Sequence, residues 1–297
     1  MSGGASVQTP DSAIGLLAGW GRFPVLVAQA IKRRGGRVCC VALRDHADPV
    51  LEQFCDEFQW MGIAKMGGHM RFFRKHDVRR MTMAGKVFKS QVLFSGPVLW
   101  RHLPDWTCFR TLAPLLLARR RDTRDDSLLL TITNAYLARG IDVCPATELA
   151  PELLVKPGNL TRRQSGTTQR RDIEFGWQIA KQMGGLDIGQ SITVKDGTVL
   201  AVEAIEGTDA CIERTGALCP RGGWTLIKVA KPNQDMRFDV PTIGPRTIRK
   251  VAQAGGTAIV VEADKTIVVD EAETIRLAEA LGIVVHAAAA VSVAAAA

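Results

Sequence analysis

AIGLLAGWGRFPVLVAQAIKRRGGRVCCVAL, residues 13–43, is the stretch that decides the fold. Ala13–Ala18 is an apolar run of strand length, closed by Gly19-Trp20-Gly21-Arg22-Phe23-Pro24. From Pro24 the apolar residues Val25, Val27, Ala28 and Ile31 follow a helical pattern, which stops at Gly35-Gly36. Proline in the first turn and glycine after the last are the punctuation of a helix. Arg37–Leu43, RVCCVAL, then reads as a second buried strand. Strand, glycine turn, helix and strand in this order open a Rossmann-like unit with a parallel sheet. GWGRFP holds two glycines of a dinucleotide fingerprint and lacks the third. Its backbone amides can face a phosphate or sugar at the helix N-terminus, or the segment can be a tight turn and nothing more.

The pattern continues outward from there. Asp56–Ile63 reads as a third strand, residues 69–76 as a helix, and Arg79–Ser90 as a strand ending at Ala84-Gly85-Lys86. A lysine after small residues at a strand's carboxyl end stands where open α/β sheets meet ligands, so Lys86 is a candidate anion contact. Residues 112–121 form a leucine-rich helix with a basic end, residues 127–139 a second helix, and Ile141–Pro151 a last strand. Pro151, Pro157, Gly158 and Asn159 mark a linker. The expected organisation is a disordered lead over 1–12 and a Rossmann-like domain over 13–160. A mixed α/β domain over 161–286 and a low-complexity tail over 287–297 complete it. The second domain contains a helix near 169–183, a hairpin around Asp196-Gly197, and a strand at Trp224–Lys231. Beyond those come a helix from Pro245, the strand Ala258–Ala263, a hairpin-like DKTIVVD (Asp264–Asp270), a helix capped by Asp270, and a final strand.

With 297 residues, two domains are expected. No apolar run is long enough for a membrane span, and the start lacks the basic and apolar regions of a secretory signal. The seven cysteines form neither a CxxC pair nor a zinc spacing; buried thiols in a reducing, cytoplasmic setting are expected. Charge is uneven. Residues 1–150 carry 21 Lys and Arg against 13 Asp and Glu, whereas residues 151–297 carry 17 of each. A basic first half suits a phosphorylated ligand or an anionic membrane surface. With a single Tyr, base-stacking platforms are poorly served and nucleic acid is the weakest partner class.

The chemistry concentrates between Ala201 and Pro245, where Glu203, Glu206, Asp209, Lys228, Lys231, Asp235, Arg237 and Asp239 interrupt an apolar, glycine- and proline-rich segment. Carboxylates with substrate phosphate oxygens are the common ligands of Mg²⁺, and adjacent cations neutralise phosphoryl charge. The absence of histidine from the group disfavours the His-rich two-metal centres of many phosphoesterases. The same residues also suit structural ion pairs, and Thr208 or Asp209 suits a helix cap.

Several segments carry a resemblance. They are LAGWGRFP (Leu17–Pro24), MAGKV (Met83–Val87), TELAPELL (Thr147–Leu154), LTRR (Leu160–Arg163), the run Leu186–Asp209 ending in EGTD, AIEGTDACI (Ala204–Ile212), and VAKPNQDMRFDVPTIGP (Val229–Pro245). In this order and spacing they resemble the LpxI-type UDP-2,3-diacylglucosamine pyrophosphatases of lipid A biosynthesis, over nearly the whole chain. Trp20 stands where serine is commoner in that family, and Gly222-Gly223-Trp224 is a variant.

The resemblance implies a Mg²⁺-dependent hydrolase, with Mn²⁺ as an alternative ion, that holds its substrate between two domains. The implied reaction cleaves UDP-2,3-diacylglucosamine to UMP and 2,3-diacylglucosamine 1-phosphate (lipid X) by water attack on the β-phosphorus. Asp235, Asp209 and Lys231 are then the catalytic candidates, and Asp235, Glu206 and Asp239 the metal candidates. Gly19, Trp20, Gly21, Lys86, Asp122, Thr208, Lys228 and Gln234 are the substrate-binding candidates; Glu203 is read as structural. The acyl chains call for an apolar groove, for which the helix Leu112–Ala118 and the interdomain surface are the candidates. The basic half is expected to approach the anionic cytoplasmic face of the inner membrane. Oligomeric state is left open. Two other readings stand beside this one: a non-catalytic nucleotide-sugar or lipid-precursor binding module, and a dinucleotide oxidoreductase, against which the missing third glycine counts.

Overall fold

The computed structural model describes residues 13–87, 103–117, 125–232, 234–238 and 240–289. By internal contacts the chain forms two compact units. One runs to Pro151 and takes in Asp235–Phe238; the other begins at Glu152, reaches Gln234 and resumes after that loop.

The first unit is built from β1 (Ala13–Ala18), α1 (Phe23–Arg33), β2 (Arg37–Leu43), β3 (Glu57–Met61), α2 (Met66–Lys75) and β4 (Arg80–Ala84). It continues with α3 (Trp106–Leu117), α4 (Asp125–Leu137), β5 (Asp142–Val143) and the short α5 (Ala146–Leu149). The strands form one sheet in the order β3-β2-β1-β4-β5, and every pairing is parallel. That is the Rossmann-like order expected from residues 13–43. β2 reads as a continuous apolar run because helices cover both faces of a parallel sheet. Val25, Val27 and Ile31 of α1 and Val38, Cys40 and Val41 of β2 are buried, at about 1.5–3 kcal/mol for each large aliphatic side chain. The helix expected to begin at Leu112 begins at Trp106, and Leu112 packs on the core beside Cys108 and Tyr136. The charged end expected for that helix, including Asp122, lies outside the described residues.

The second unit contains β6 (Gly158–Asn159), α6 (Thr167–Gly185), β7 (Ser191–Lys195), β8 (Thr198–Val202), α7 (Thr208–Leu218) and β9 (Trp224–Lys228). There follow β10 (Thr242–Ile243), α8 (Pro245–Gln253), β11 (Gly256–Glu262), β12 (Ile267–Val268), α9 (Glu271–Ala280) and β13 (Val284–Ala288). Its main sheet is mixed, in the order β6-β13-β11-β9-β7-β8. β9, β11 and β13 are parallel, and β7, β8 and β6 pair antiparallel at the edges. The Asp196-Gly197 hairpin forms as expected, both residues having positive φ.

Three local expectations are corrected. DKTIVVD is no hairpin: β12 pairs parallel with β10, and Asp264 at φ 57° turns the chain out of the main sheet. Asp270 takes a left-handed conformation and makes no side-chain cap, so backbone geometry alone starts α9. Neither Thr208 nor Asp209 caps α7, because the helix begins at Thr208, one residue earlier than the first role requires and two earlier than the second. Gly207 is the cap, and its φ of 82° favours a residue without Cβ.

Candidate active site

In the first unit the two glycine turns singled out in the sequence meet. β1 and β4 are neighbours in register, with Ala18 opposite Ala84, so the chain leaves both strands at the same edge of the sheet. The Gly19 amide donates to the Ala84 carbonyl at 2.8 Å; Trp20 and Lys86 exchange backbone hydrogen bonds of 2.8 and 2.9 Å. Only glycine allows the approach. A Cβ on Gly85 would stand 2.7 Å from the Gly19 carbonyl carbon, and Gly85 itself has φ 92°. β1 lies between β2 and β4, so strand order reverses at this point, and such a switch point is where α/β sheets hold ligands. Gly19, Trp20, Gly21 and Lys86 are thus brought together, with the Trp20 side chain exposed.

The loop after β9 carries the densest charge. Arg237 closes on Asp235: Nε lies 2.9 Å from Oδ1 and 3.0 Å from Oδ2, and Nη2 lies 2.6 Å from Oδ2. The Arg237 amide also donates to Oδ1 at 3.0 Å. These bonds outweigh partial burial and hold the Asp235 carboxyl below the usual carboxylate range. The guanidinium also sits 5.2 Å from the centre of the Phe238 ring. Lys231 and Gln234 are tied together, the Lys231 amide donating to Gln234 Oε1 at 2.9 Å, while Lys231 Nζ meets Asp187 Oδ1 at 2.6 Å.

Around α7 the acids split up. Asp209 pairs with Arg246 at 2.6 Å and lies 3.9 Å from Lys250. Glu206 pairs with Arg214 at 2.8 Å and accepts from the Ala204 amide at 3.1 Å. Thr208 and Lys228, by contrast, are joined: Lys228 Nζ donates to Thr208 Oγ1 at 2.8 Å, and that hydroxyl donates to Glu203 Oε1 at 3.0 Å. Asp239 lies outside the described residues.

No three His, Cys, Asp or Glu side chains among the described residues converge to hold a metal ion. Asp235 and Glu206 keep partly exposed carboxylates, at 34% and 28%, and hard oxygen donors of that kind fit a divalent ion that takes its other ligands from phosphate and water.

The sequence reading missed Glu262 and Lys181. Glu262, 1% exposed at the end of β11, accepts from Lys181 at 2.8 and 3.0 Å and from the Ala230 amide at 2.8 Å. Lys181 in turn donates to the Ala230 carbonyl at 2.9 Å. Both polar groups of one residue, next to Lys231, are thus gripped by side chains. The available signal was an acid closing the apolar run AIVVEA. Asp187, Arg214, Arg246 and Lys250 were also missed, because the ion-pair partners of a candidate residue have no distinguishing sequence pattern.

Two family models match the chain: the LpxI N-terminal domain over residues 13–153 and the LpxI C-terminal domain over residues 156–286. The UDP-2,3-diacylglucosamine pyrophosphatase LpxI of Caulobacter vibrioides is 33% identical over 279 residues, which span 92% of this chain and 96% of that protein. With both halves matched in order, and with the glycine turns and the charged loop on the expected framework, the chain belongs to the LpxI family.

Proposed function

We propose that the chain hydrolyses the pyrophosphate of UDP-2,3-diacylglucosamine, giving UMP and lipid X. The observation that carries this reading is the whole-length likeness to a relative named for that activity. Water attacks the β-phosphorus, forming a new P–O bond on the sugar side; the bond from that phosphorus to the bridging oxygen breaks, UMP departs, and the water's protons pass to solvent. Asp235 is the leading catalytic carboxylate, with Asp209 and Lys231 as the other catalytic candidates. It is partly exposed, held ionised, and placed in a loop whose start is fixed at Ala230. Lys228, Thr208 and Gln234, with Gly19, Trp20, Gly21 and Lys86, are proposed substrate contacts.

Mg²⁺, or Mn²⁺ in its place, is the proposed cofactor, with Asp235 and Glu206 among its ligands. When bound, such an ion would supply charge stabilisation at the phosphoryl oxygens. Arg237 is the group that Asp235 releases to serve there, and its guanidinium matches two phosphate oxygens in geometry.

The substrate is a diacyl lipid, and we place the enzyme at the cytoplasmic face of the inner membrane. Among the described residues no helix is long and apolar enough to cross a membrane. Trp106 and Phe109 are exposed and stacked on α3 with ring centres 5.8 Å apart, next to Arg110. An aromatic pair beside a cation suits an interfacial contact.

Hydrolysis in ¹⁸O-water, with Mg²⁺ and with EDTA, tests the reading. Label in lipid X with Mg²⁺ alone is the expected result. Label in UMP would move the attack to the α-phosphorus, full activity in EDTA would remove the metal, and no products at all would leave only a binding module.

A further inference from the structure

Three strands of the second sheet end side by side beneath the first turn of α7. Ser191, the first residue of β7, is paired with Lys228, the last residue of β9. Glu203 follows β8, and its amide donates to the Ser191 carbonyl at 2.8 Å. Residues opposite one another in a ladder share a face, so Ser191, Glu203 and Lys228 lie together. Leu226, two residues before Lys228, shows which face: it packs with Ile212 of α7.

All three polar side chains are buried, Glu203 at 7% exposure and Lys228 at 6%. An ammonium only donates and an ionised carboxylate only accepts. The run from Lys228 through Thr208 to Glu203 therefore has one direction, with the Thr208 hydroxyl accepting at one end and donating at the other. Glu203 Oε2 and Ser191 Oγ are sealed from solvent and have no hydrogen-bond partner among the described residues.

Burying an ammonium and a carboxylate is costly, and apolar side chains of the same size usually pack as well or better. Nothing in the sheet demands the arrangement, since Leu226 and Trp224 fill the same face without it. The cost falls at the carboxyl end of β9, where Lys228 faces the antiparallel β7, and beside the N-terminus of α7, where a phosphoryl group is well received.

We propose that Glu203 is a positioning residue for pyrophosphate hydrolysis, holding Lys228 through Thr208 in the orientation in which its ammonium meets a phosphoryl oxygen. The proposal rests on the reading of Lys228 as a substrate contact. Glu203 touches no substrate itself. Its carboxylate supplies the counter-charge that keeps a buried ammonium in place, and Thr208 sets the distance.

The test is a kinetic cycle on the full chain with UDP-2,3-diacylglucosamine as substrate, using Glu203→Gln, Thr208→Val, the double variant, Thr208→Ser and Lys228→Met. Expected is a loss in kcat/KM on the order of 10- to 100-fold for Glu203→Gln, with the melting temperature within a few degrees of the parent. Glu203→Gln should add no further loss in the Thr208→Val background, and Thr208→Ser should restore activity. Independent, multiplying losses for Glu203→Gln and Thr208→Val would overturn the relay, as would a Glu203→Gln enzyme of parental activity. Should Glu203→Gln not fold, Thr208→Val against Thr208→Ser decides, and equal activity of those two overturns the proposal. Lys228→Met separates the levels. If it is fully active the substrate contact is wrong, whereas if it is impaired while Glu203→Gln is not, only the relay fails.

Discussion

Arg237 holds both carboxylate oxygens of Asp235 from two residues along the same loop, with contacts of 2.6 to 3.0 Å. A carboxylate gripped this way stays ionised and pointed, and it is neutralised until a competing anion draws the guanidinium away. Pyrophosphate is such an anion.

Asp235→Ala is therefore expected to abolish turnover while leaving substrate binding largely intact, because a group acting mainly on the transition state affects kcat more than affinity. UMP release and equilibrium binding of UDP-2,3-diacylglucosamine, measured on the same preparation, check this. A variant that still turns over at the parental rate would remove Asp235 from the mechanism.

Gly85→Ala should destabilise the first unit by about 2 kcal/mol or more, combining a positive-φ penalty with a steric clash. The new Cβ would press on the Gly19 carbonyl carbon and the Trp20 carbonyl oxygen, at 2.7 and 2.8 Å. Denaturant unfolding followed by tryptophan fluorescence measures it, and a midpoint equal to the parent's would show that the two turns do not need this approach.

Stability should also depend on pH through His69. Burial pushes its imidazole down to about 4 from an ordinary value of 6.5. Its ring nitrogens lie 3.2 Å from the Tyr136 hydroxyl and 3.0 Å from the Gly62 carbonyl, a pairing that suits the neutral ring. As pH falls the unfolded chain binds this proton before the folded one does, so stability is complete above 6.5 and declines from there to about 4. His69→Gln should flatten that limb, and denaturation midpoints across the window would show it.

Glu262→Ala should cost about 3 kcal/mol, since it strands Lys181 and the Ala230 amide without their acceptor. Burial works against the Glu262 charge, but the Lys181 and Lys265 ammoniums and the Ala230 amide outweigh it and hold the carboxyl below its usual range. The stabilisation is accordingly present above the ordinary carboxylate range and lost as acid reaches the lowered value. Calorimetric melting of Glu262→Ala at neutral pH gives the magnitude, and an unchanged transition would mean the Ala230 peptide is held by other means.

Much of the fold was legible along the chain. Apolar strands of the right length, proline at a helix start and glycine at its end are local signals, and Ala13–Leu43 shows all of them. The strand order followed, because parallel strands joined through helices have few ways to pack. Local signals failed where a residue's conformation, not its type, did the work: Asp270 has the composition of a cap and the backbone of a left-handed turn, and Ile267–Val268 found a partner in β10 rather than in the strand just before it.

The candidate site divides along the same line. Sequence alone singled out the candidate residues, since acids and lysines in an otherwise apolar run stand out by type: Asp235, Lys231 and Lys228, with Thr208 and the two glycine turns, were all named from it. Only the tertiary structure decided how they are paired. It tied Asp235 to Arg237, Asp209 to Arg246 and Glu206 to Arg214, and it put Glu203, read from the sequence as structural, at the end of a hydrogen-bonded run through Thr208 to Lys228. The reason is physical: a side chain's type is written in one position, but a buried charge is satisfied by whichever partner the packing of distant strands and helices brings within hydrogen-bonding distance.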